Sequence, residues 1–159
     1  MSYEPLSKIT HGVYLLTTRL GEKDNGCIID AVAQATSMPE RILICVNKQN
    51  LTHGMIVAAQ RFNLSVLTEE APMKVYQHFG MQSGLNVNKF ENCEVEMRSA
   101  NGILYLPKYI NAVISGQVEQ AIDLGTHTLF VAKVTESFKV SDAPSQTYPN
   151  YQRTKSVSK

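Results

Sequence analysis

Charge and cysteine are both scarce in this chain, and each shortage excludes something. Charged side chains make up only 18% of the 159 residues, balance to a net charge of +1, and never run five of one sign together. A basic surface for nucleic acid or an anionic membrane is therefore not suggested. The three cysteines, Cys27, Cys45 and Cys93, are far apart and form no C-x-x-C pair. A disulfide scaffold, a zinc site and a rubredoxin-type iron site are all disfavoured, and no metal site is expected. No apolar run approaches the roughly 20 residues a helix needs to cross a bilayer. The first residues lack the charged-then-apolar order of a secretory signal, so a cytoplasmic protein is expected. No G-x-G-x-x-G follows a strand, which excludes a Rossmann pocket for a dinucleotide.

With 43% hydrophobic residues, the chain can bury one substantial core, and nothing in it repeats or reads as a linker. Short β-runs dominate. Residues 9–19 form a strand. The Gly-rich stretch 21–26 turns, with Asn25-Gly26 at positive φ, and residues 27–36 return as its hairpin partner. Met38-Pro39 breaks the ladder before a strand at 42–46. A helix spans 51–62, with Leu51, Met55, Ala58 and Phe62 on one face, and a strand follows at 63–67. A second helix covers 69–79, capped by Thr68. Residues 80–102 are loop-rich, with an excursion at 81–84. Two long runs, 110–121 and 126–138, close as a hairpin around Asp123-Leu124-Gly125. Many strands with a few helices as plugs predict a mostly β, antiparallel, Greek-key barrel over residues 1–151, followed by a disordered tail at 152–159.

Residues 42–53 carry the chemistry. There a core strand runs straight into a helix whose first N–H groups have no internal partner and lie at the positive end of its dipole. Such a junction suits a phosphate. Asn50 is the natural N-cap, Lys48 adds full charge, and the hydroxyl of Thr52 adds a donor. Read plainly, Lys48 is a solvated loop lysine and Thr52 an ordinary first-turn residue; these residues alone leave both readings open.

The segments 8–14, 25–29, 34–37, 45–53, 65–67, 71–73, 78–80, 89–91 and 123–130, in this order and spacing, resemble the flavin reductase-like, FMN-binding split-barrel family. Within it the chain is most similar to small archaeal ferric reductases and to the flavin domain of high-molecular-weight rubredoxins. The resemblance implies a homodimer that binds FMN and takes hydride from NADH or NADPH. Its acceptor would be free flavin, a ferric chelate, oxygen or a partner redox protein. It also implies a flavin site drawn from Asn25, Gly26, Cys27, Ala35, Thr36, Ser37, Cys45, Val46, Asn47, Lys48, Asn50, Leu51, Thr52 and His53. In that set, the small residues allow close backbone approach, and Thr36 and Ser37 offer hydroxyls. His127 matches a histidine over the open flavin face, where it meets the nicotinamide or, with Cys45, an acceptor. Tyr148 and Tyr151 match tyrosines of a tail that folds over the flavin. Read without the family, Asn25-Gly26 is a turn, Thr36-Ser37 a strand end, and Cys45 a buried inert thiol.

The chain also departs from the family pattern. Residues 81–90 are nearly neutral where relatives carry arginine and aspartate, Asp30 replaces a common asparagine, and His78 a common arginine. Losing guanidinium groups removes bidentate anion recognition. Two alternatives to a reductase follow: a flavin-carrying electron-transfer module reduced by a partner protein, and a degenerate dimeric barrel without cofactor.

Overall fold

The structure, a computed structural model, describes residues 4–80 and 97–157. After a short 3-10 turn at Glu4–Lys8 come β1 (Tyr14–Leu20), β2 (Lys23–Ile29), β3 (Val32–Ser37), β4 (Glu40–Asn47), α1 (Leu51–Ala59), β5 (Arg61–Leu67) and α2 (Met73–Gly80). The short strands β6 (Met97–Arg98) and β7 (Leu104–Tyr105), the long β8 (Ile110–Asp123) and β9 (His127–Lys139), and α3 (Tyr148–Val157) complete it.

Seven strands form one antiparallel sheet in the order β2-β1-β5-β8-β9-β4-β3. Its two edges, β2 and β3, are separated in the chain only by Asp30 and Ala31. Two residues span only about 7 Å, so the sheet must curl until its edges meet, leaving a barrel with one seam. The Cys45 amide extends the β3–β4 ladder into the two-residue link by donating to the Ala31 carbonyl at 3.0 Å. Chain reversal through α1 lays β5 beside β1, the Greek-key step. Register shifts in β8 near Gly116 and Glu119 add local twist to the long β8–β9 ribbon.

Adjacent β1 residues serve two different cores. Leu16 points into the lumen with Ile44, Val46, Ile56, Phe62, Leu64 and Phe130. Leu15 points outward beneath α2 with Leu67, Val75, Tyr76 and Phe79. Each such buried side chain contributes about 1.5–3 kcal/mol. Residues 97–105 are tied across the barrel wall by Asn63, which is fully buried. Its amide nitrogen donates to Ser99 Oγ (2.8 Å) and Ile103 O (2.9 Å), and its oxygen accepts from Ser115 Oγ (2.6 Å).

The barrel and the long hairpin match expectation, but several local readings do not. The first hairpin turns at Gly21, whose φ is +61°. Asn25 and Gly26 instead lie within β2, opposite Thr18 and Thr17. The expected single strand 27–36 is two strands, because the chain crosses the seam at Asp30. α1 ends at Ala59, with Gln60 left-handed (φ 63°) and its amide on Ile56 O at 2.7 Å, so Phe62 belongs to β5 and the lumen. α2 begins only at Met73, after Pro72. Thr68 does not cap it: its amide donates to Tyr109 O at 2.9 Å and it forms a bridge with Ser145. Residues 152–157, expected as a disordered tail, continue α3. That helix is anchored by the Tyr148 amide on His11 O (2.8 Å) and by Tyr151 against Tyr76, ring centroids 4.5 Å apart. The loop 81–90 lies outside the described residues.

At Gly26 an added Cβ would stand 2.9 Å from Leu16 O and 3.0 Å from Thr17 Cγ2. Gly26→Ala is therefore expected to cost about 1–3 kcal/mol of stability, read as a lower denaturant midpoint with an unchanged m-value. An unchanged midpoint would show that the β1–β2 pair yields freely.

Candidate functional site

The lower end of β4 and the β8–β9 turn are locked together. Asn47 pairs with His127, and the Lys48 amide donates to Thr126 O at 3.0 Å. Three more donors at this corner are used internally. The Gln49 amide bonds Asn47 Oδ1 (2.9 Å), the Asn50 amide Asn47 O (3.1 Å), and the His53 amide Asn50 O (3.1 Å). Asn50 stands at the N-cap with extended backbone (φ −76°, ψ 135°), yet its side chain makes no capping bond. Among the described residues, this leaves the amides of Leu51, half-buried, and Thr52, buried, without a partner from the chain. These two N–H groups lie at the positive end of the helix dipole.

Lys48 borders this mouth. Its Nζ donates to Asp123 Oδ1 at 2.6 Å, and the same oxygen accepts the Gly125 amide at 2.8 Å. These two donors, with the ammonium's field, hold the Asp123 carboxyl below the usual range. His53 lies behind Lys48, its Nε2 2.7 Å from Thr128 Oγ1 and its ring against Phe130 at 5.7 Å. Burial first, then the neighbouring ammonium, lower its pKa, so His53 is a neutral packing residue at physiological pH.

Thr52 does not offer its hydroxyl to a guest. It is fully buried, and its Oγ1 accepts from Asn25 Nδ2 at 3.0 Å. That bond staples α1 to β2 and aims the helix mouth. Asn25 and Cys27 are buried, Asn25 against Thr52 and Cys27 within the lumen core. Val46 points into the lumen, so only its backbone faces outward.

Asn47 and Cys45 alternate outward along β4, opposite His127 and Leu129 of β9. Cys45 is half-buried, and burial, followed by the charge of Asp30, pushes its thiol up. It therefore stays protonated near neutrality. Asp30 is paired with His11 (Nδ1–Oδ2 3.2 Å). His127 Nδ1 lies 2.9 Å from Thr126 Oγ1, which fixes the ring and leaves Nε2 for another partner. Beyond the seam, Tyr148 and Tyr151 line a cavity of about 300 Å³ with Ile28, Asp30, Tyr76 and Lys155. Ala35, Thr36 and Ser37 are not brought to the mouth. Thr36 pairs with Arg41, seven residues up β4 from Lys48, a separation of roughly 23 Å. The Thr36 hydroxyl is bonded to the Pro39 carbonyl. Among the described residues no cluster of three or more His, Cys, Asp or Glu could hold a metal ion.

Residues 6–157 match the model of the flavin reductase like domain. The chain belongs to this family. It is 34% identical to the NAD(P)H-dependent ferric-chelate reductase of Archaeoglobus fulgidus, covering 95% of this chain and 89% of that protein. It is 35% identical to the high molecular weight rubredoxin of Moorella thermoacetica, covering 98% of this chain and 67% of that one. Among solved structures, the fold is shared with an NADH:FAD oxidoreductase of Streptomyces globisporus (TM-score 0.80, 20% identity, 90% and 83% of the two chains). A flavin reductase of Haemophilus somnus, named there as putative, superposes with TM-score 0.79 at 18% identity over 92% of both chains.

In this family member the sequence marks the start of α1 but gives no sign of Asp123, Thr126 and Thr128 as neighbours of Lys48 and His53. Lys48 and Asp123 are 75 positions apart, and only strand register joins them. Because folding lowers the His53 pKa from its ordinary 6.5, the unfolded chain takes the proton first as pH falls. Stability is thus complete above about pH 6.5 and declines below it. His53→Gln is expected to flatten the fall in denaturant midpoint between pH 7.5 and 5.5. An equal fall in both proteins would show that His53 does not carry it.

Proposed function

We propose that the chain is an FMN-binding oxidoreductase, an NAD(P)H-dependent reductase of flavin or of a ferric chelate. The observation that carries this reading is the uncapped mouth of α1 beside Lys48, in a chain belonging to the flavin reductase-like family. The residues present fit a mononucleotide phosphate. They offer amides without a partner from the chain at a helix N-terminus, no side-chain capping bond, and one ammonium group beside it. When bound, FMN accepts hydride from a nicotinamide and passes the electrons on to an acceptor.

The chain's own residues then divide the work. Lys48, with the amides of Leu51 and Thr52, holds the phosphate; Asn47 and Asn50 shape the mouth. The backbone of Cys45 and Val46 would border the flavin, and the Cys45 thiol, being protonated, would contribute packing and not charge. His127, oriented by Thr126, contacts the nicotinamide or the acceptor. A hydride transfer from nicotinamide would require no acid or base from the chain, whose residues would supply alignment and polarity. The functional unit is a homodimer in the cytoplasm. In it Ala35, Thr36 and Ser37, distant from the mouth of their own chain, and the tyrosines Tyr148 and Tyr151 complete the flavin surroundings. Oxygen, free flavin, a ferric chelate or a partner redox protein serves as acceptor, and either NADH or NADPH as donor.

A second reading has its own support. The similarity to high molecular weight rubredoxin spans 67% of that longer protein, and the sequence at 81–90 lacks the charges that would recognise a nicotinamide nucleotide. A flavin module reduced by a partner protein would need no such charges. Anaerobic bleaching of the FMN-loaded protein by NADH or NADPH separates the two readings; no bleaching at millimolar nucleotide overturns the reductase.

Two substitutions test the assignment of residues. Lys48→Ala is expected to weaken FMN retention by about ten- to a hundredfold, since a charge-assisted hydrogen bond to phosphate is worth roughly 1.5–3 kcal/mol. Unchanged affinity removes Lys48 from the site. His127→Ala is expected to slow reduction by nicotinamide while FMN stays bound, measured by stopped-flow absorbance. An unaltered rate makes His127 structural.

A further inference from the structure

Lys48, beside the helix start, already has an anionic partner, and it belongs to the chain itself. Asp123 Oδ1 lies 2.6 Å from Lys48 Nζ and 2.8 Å from the Gly125 amide, held in place by the β8–β9 turn. The Lys48 backbone is bonded to that same turn through Thr126 O at 3.0 Å, so the two side chains cannot drift apart by moving the loops. Of the other groups bordering Lys48, His53 is neutral and the Thr126 and Thr128 hydroxyls carry no charge. Lys48 and Asp123 therefore offset one another, so among the described residues the ammonium nearest the helix start is already engaged.

We propose that Asp123 is a built-in rival of the flavin phosphate for Lys48, and that flavin mononucleotide is consequently held as an exchangeable ligand. The inference rests on the reading that this mouth takes the FMN phosphate. An arriving phosphate must share or capture the ammonium. The Asp123 side chain, 73% exposed, is then taken up by water while its charge stays beside the bound anion. Both effects weaken retention and speed release. A reductase that hands its flavin on, or reloads it, gains from this arrangement. Because the rivalry concerns only the phosphate, it does not touch recognition of the ring.

Asp123→Asn isolates the charge, because an asparagine Oδ1 still accepts the Gly125 amide and keeps the turn. Flavin fluorescence titrations with FMN and with riboflavin, which lacks the phosphate, on the wild type, Asp123→Asn, Lys48→Ala and the double variant test the proposal. Asp123→Asn is expected to bind FMN about two- to fivefold tighter, the scale of an exposed ion pair, with a proportionally slower release rate. Riboflavin affinity should not change, and the gain should vanish in the double variant. Equal or weaker FMN binding by Asp123→Asn, an equal gain for riboflavin, or a gain that survives without Lys48 each overturns the rivalry. If Lys48→Ala alone leaves FMN binding intact, the mouth does not hold the phosphate, and that earlier reading fails together with this one. Loss of FMN by Lys48→Ala with no gain in Asp123→Asn overturns the rivalry only.

Discussion

The two-residue link between β2 and β3 is the constraint on which the molecule rests. Since β2 and β3 form opposite edges of one sheet, a connection this short permits no open or flat arrangement. Curling brings β4 next to the seam, encloses a lumen filled from Leu16, Ile44, Phe62 and Phe130, and leaves the outer face of β1 and β5 to be covered by α2. The same curl fixes the site. β4 ends where the β8–β9 hairpin turns, because their register runs unbroken from Arg41↔Lys133 to Asn47↔His127. A single lysine after β4 thus meets an aspartate at the hairpin tip, and a single histidine begins the facing strand.

At the mouth itself, buried polar bonds and exposed charges have separate tasks. The Asn25–Thr52 bond is fully enclosed, where a hydrogen bond is strong and leaving either partner unmatched is costly. It sets the direction of α1. The Lys48–Asp123 pair is exposed, so its net worth to stability is small, and its charges remain available for exchange. A rigid buried staple beside a labile surface ion pair is consistent with the proposed exchangeable phosphate site. The protonated Cys45 thiol and the neutral His53 fit the same picture, since neither adds charge that would compete with the nucleotide.

Much of this was legible in the residues. The 42–53 run gave both the strand and the helix start, and Asp123-Leu124-Gly125 marked the tip of the long hairpin. Turn chemistry misled once: Asn25-Gly26 has the composition of a hairpin turn, but burial of Asn25 against Thr52 and the close approach of Gly26 to Leu16 O draw both into β2. Tertiary contact overrode local preference again at the C-terminus, where the weakly apolar residues after Tyr148 form a helix because Tyr151 docks on Tyr76. A local signal did exist there, since Thr147 caps that helix, its Oγ1 accepting the Asn150 amide at 3.3 Å. Asp123 as the partner of Lys48, and Asn63 as the tie holding residues 97–105, had no signal in the sequence, because both arise from register across distant strands.

The central claim is that backbone amides at the start of α1, beside Lys48, grip the phosphate of a flavin mononucleotide. An amide-resolved ¹⁵N–¹H spectrum, titrated with FMN and then with inorganic phosphate, tests this most directly. Both ligands are expected to move the resonances of residues 48–53 more than any others, with FMN alone shifting further residues along β4 and β9. If the amides of Leu51 and Thr52 keep their positions while flavin saturates the protein, the phosphate lies elsewhere and the account is wrong.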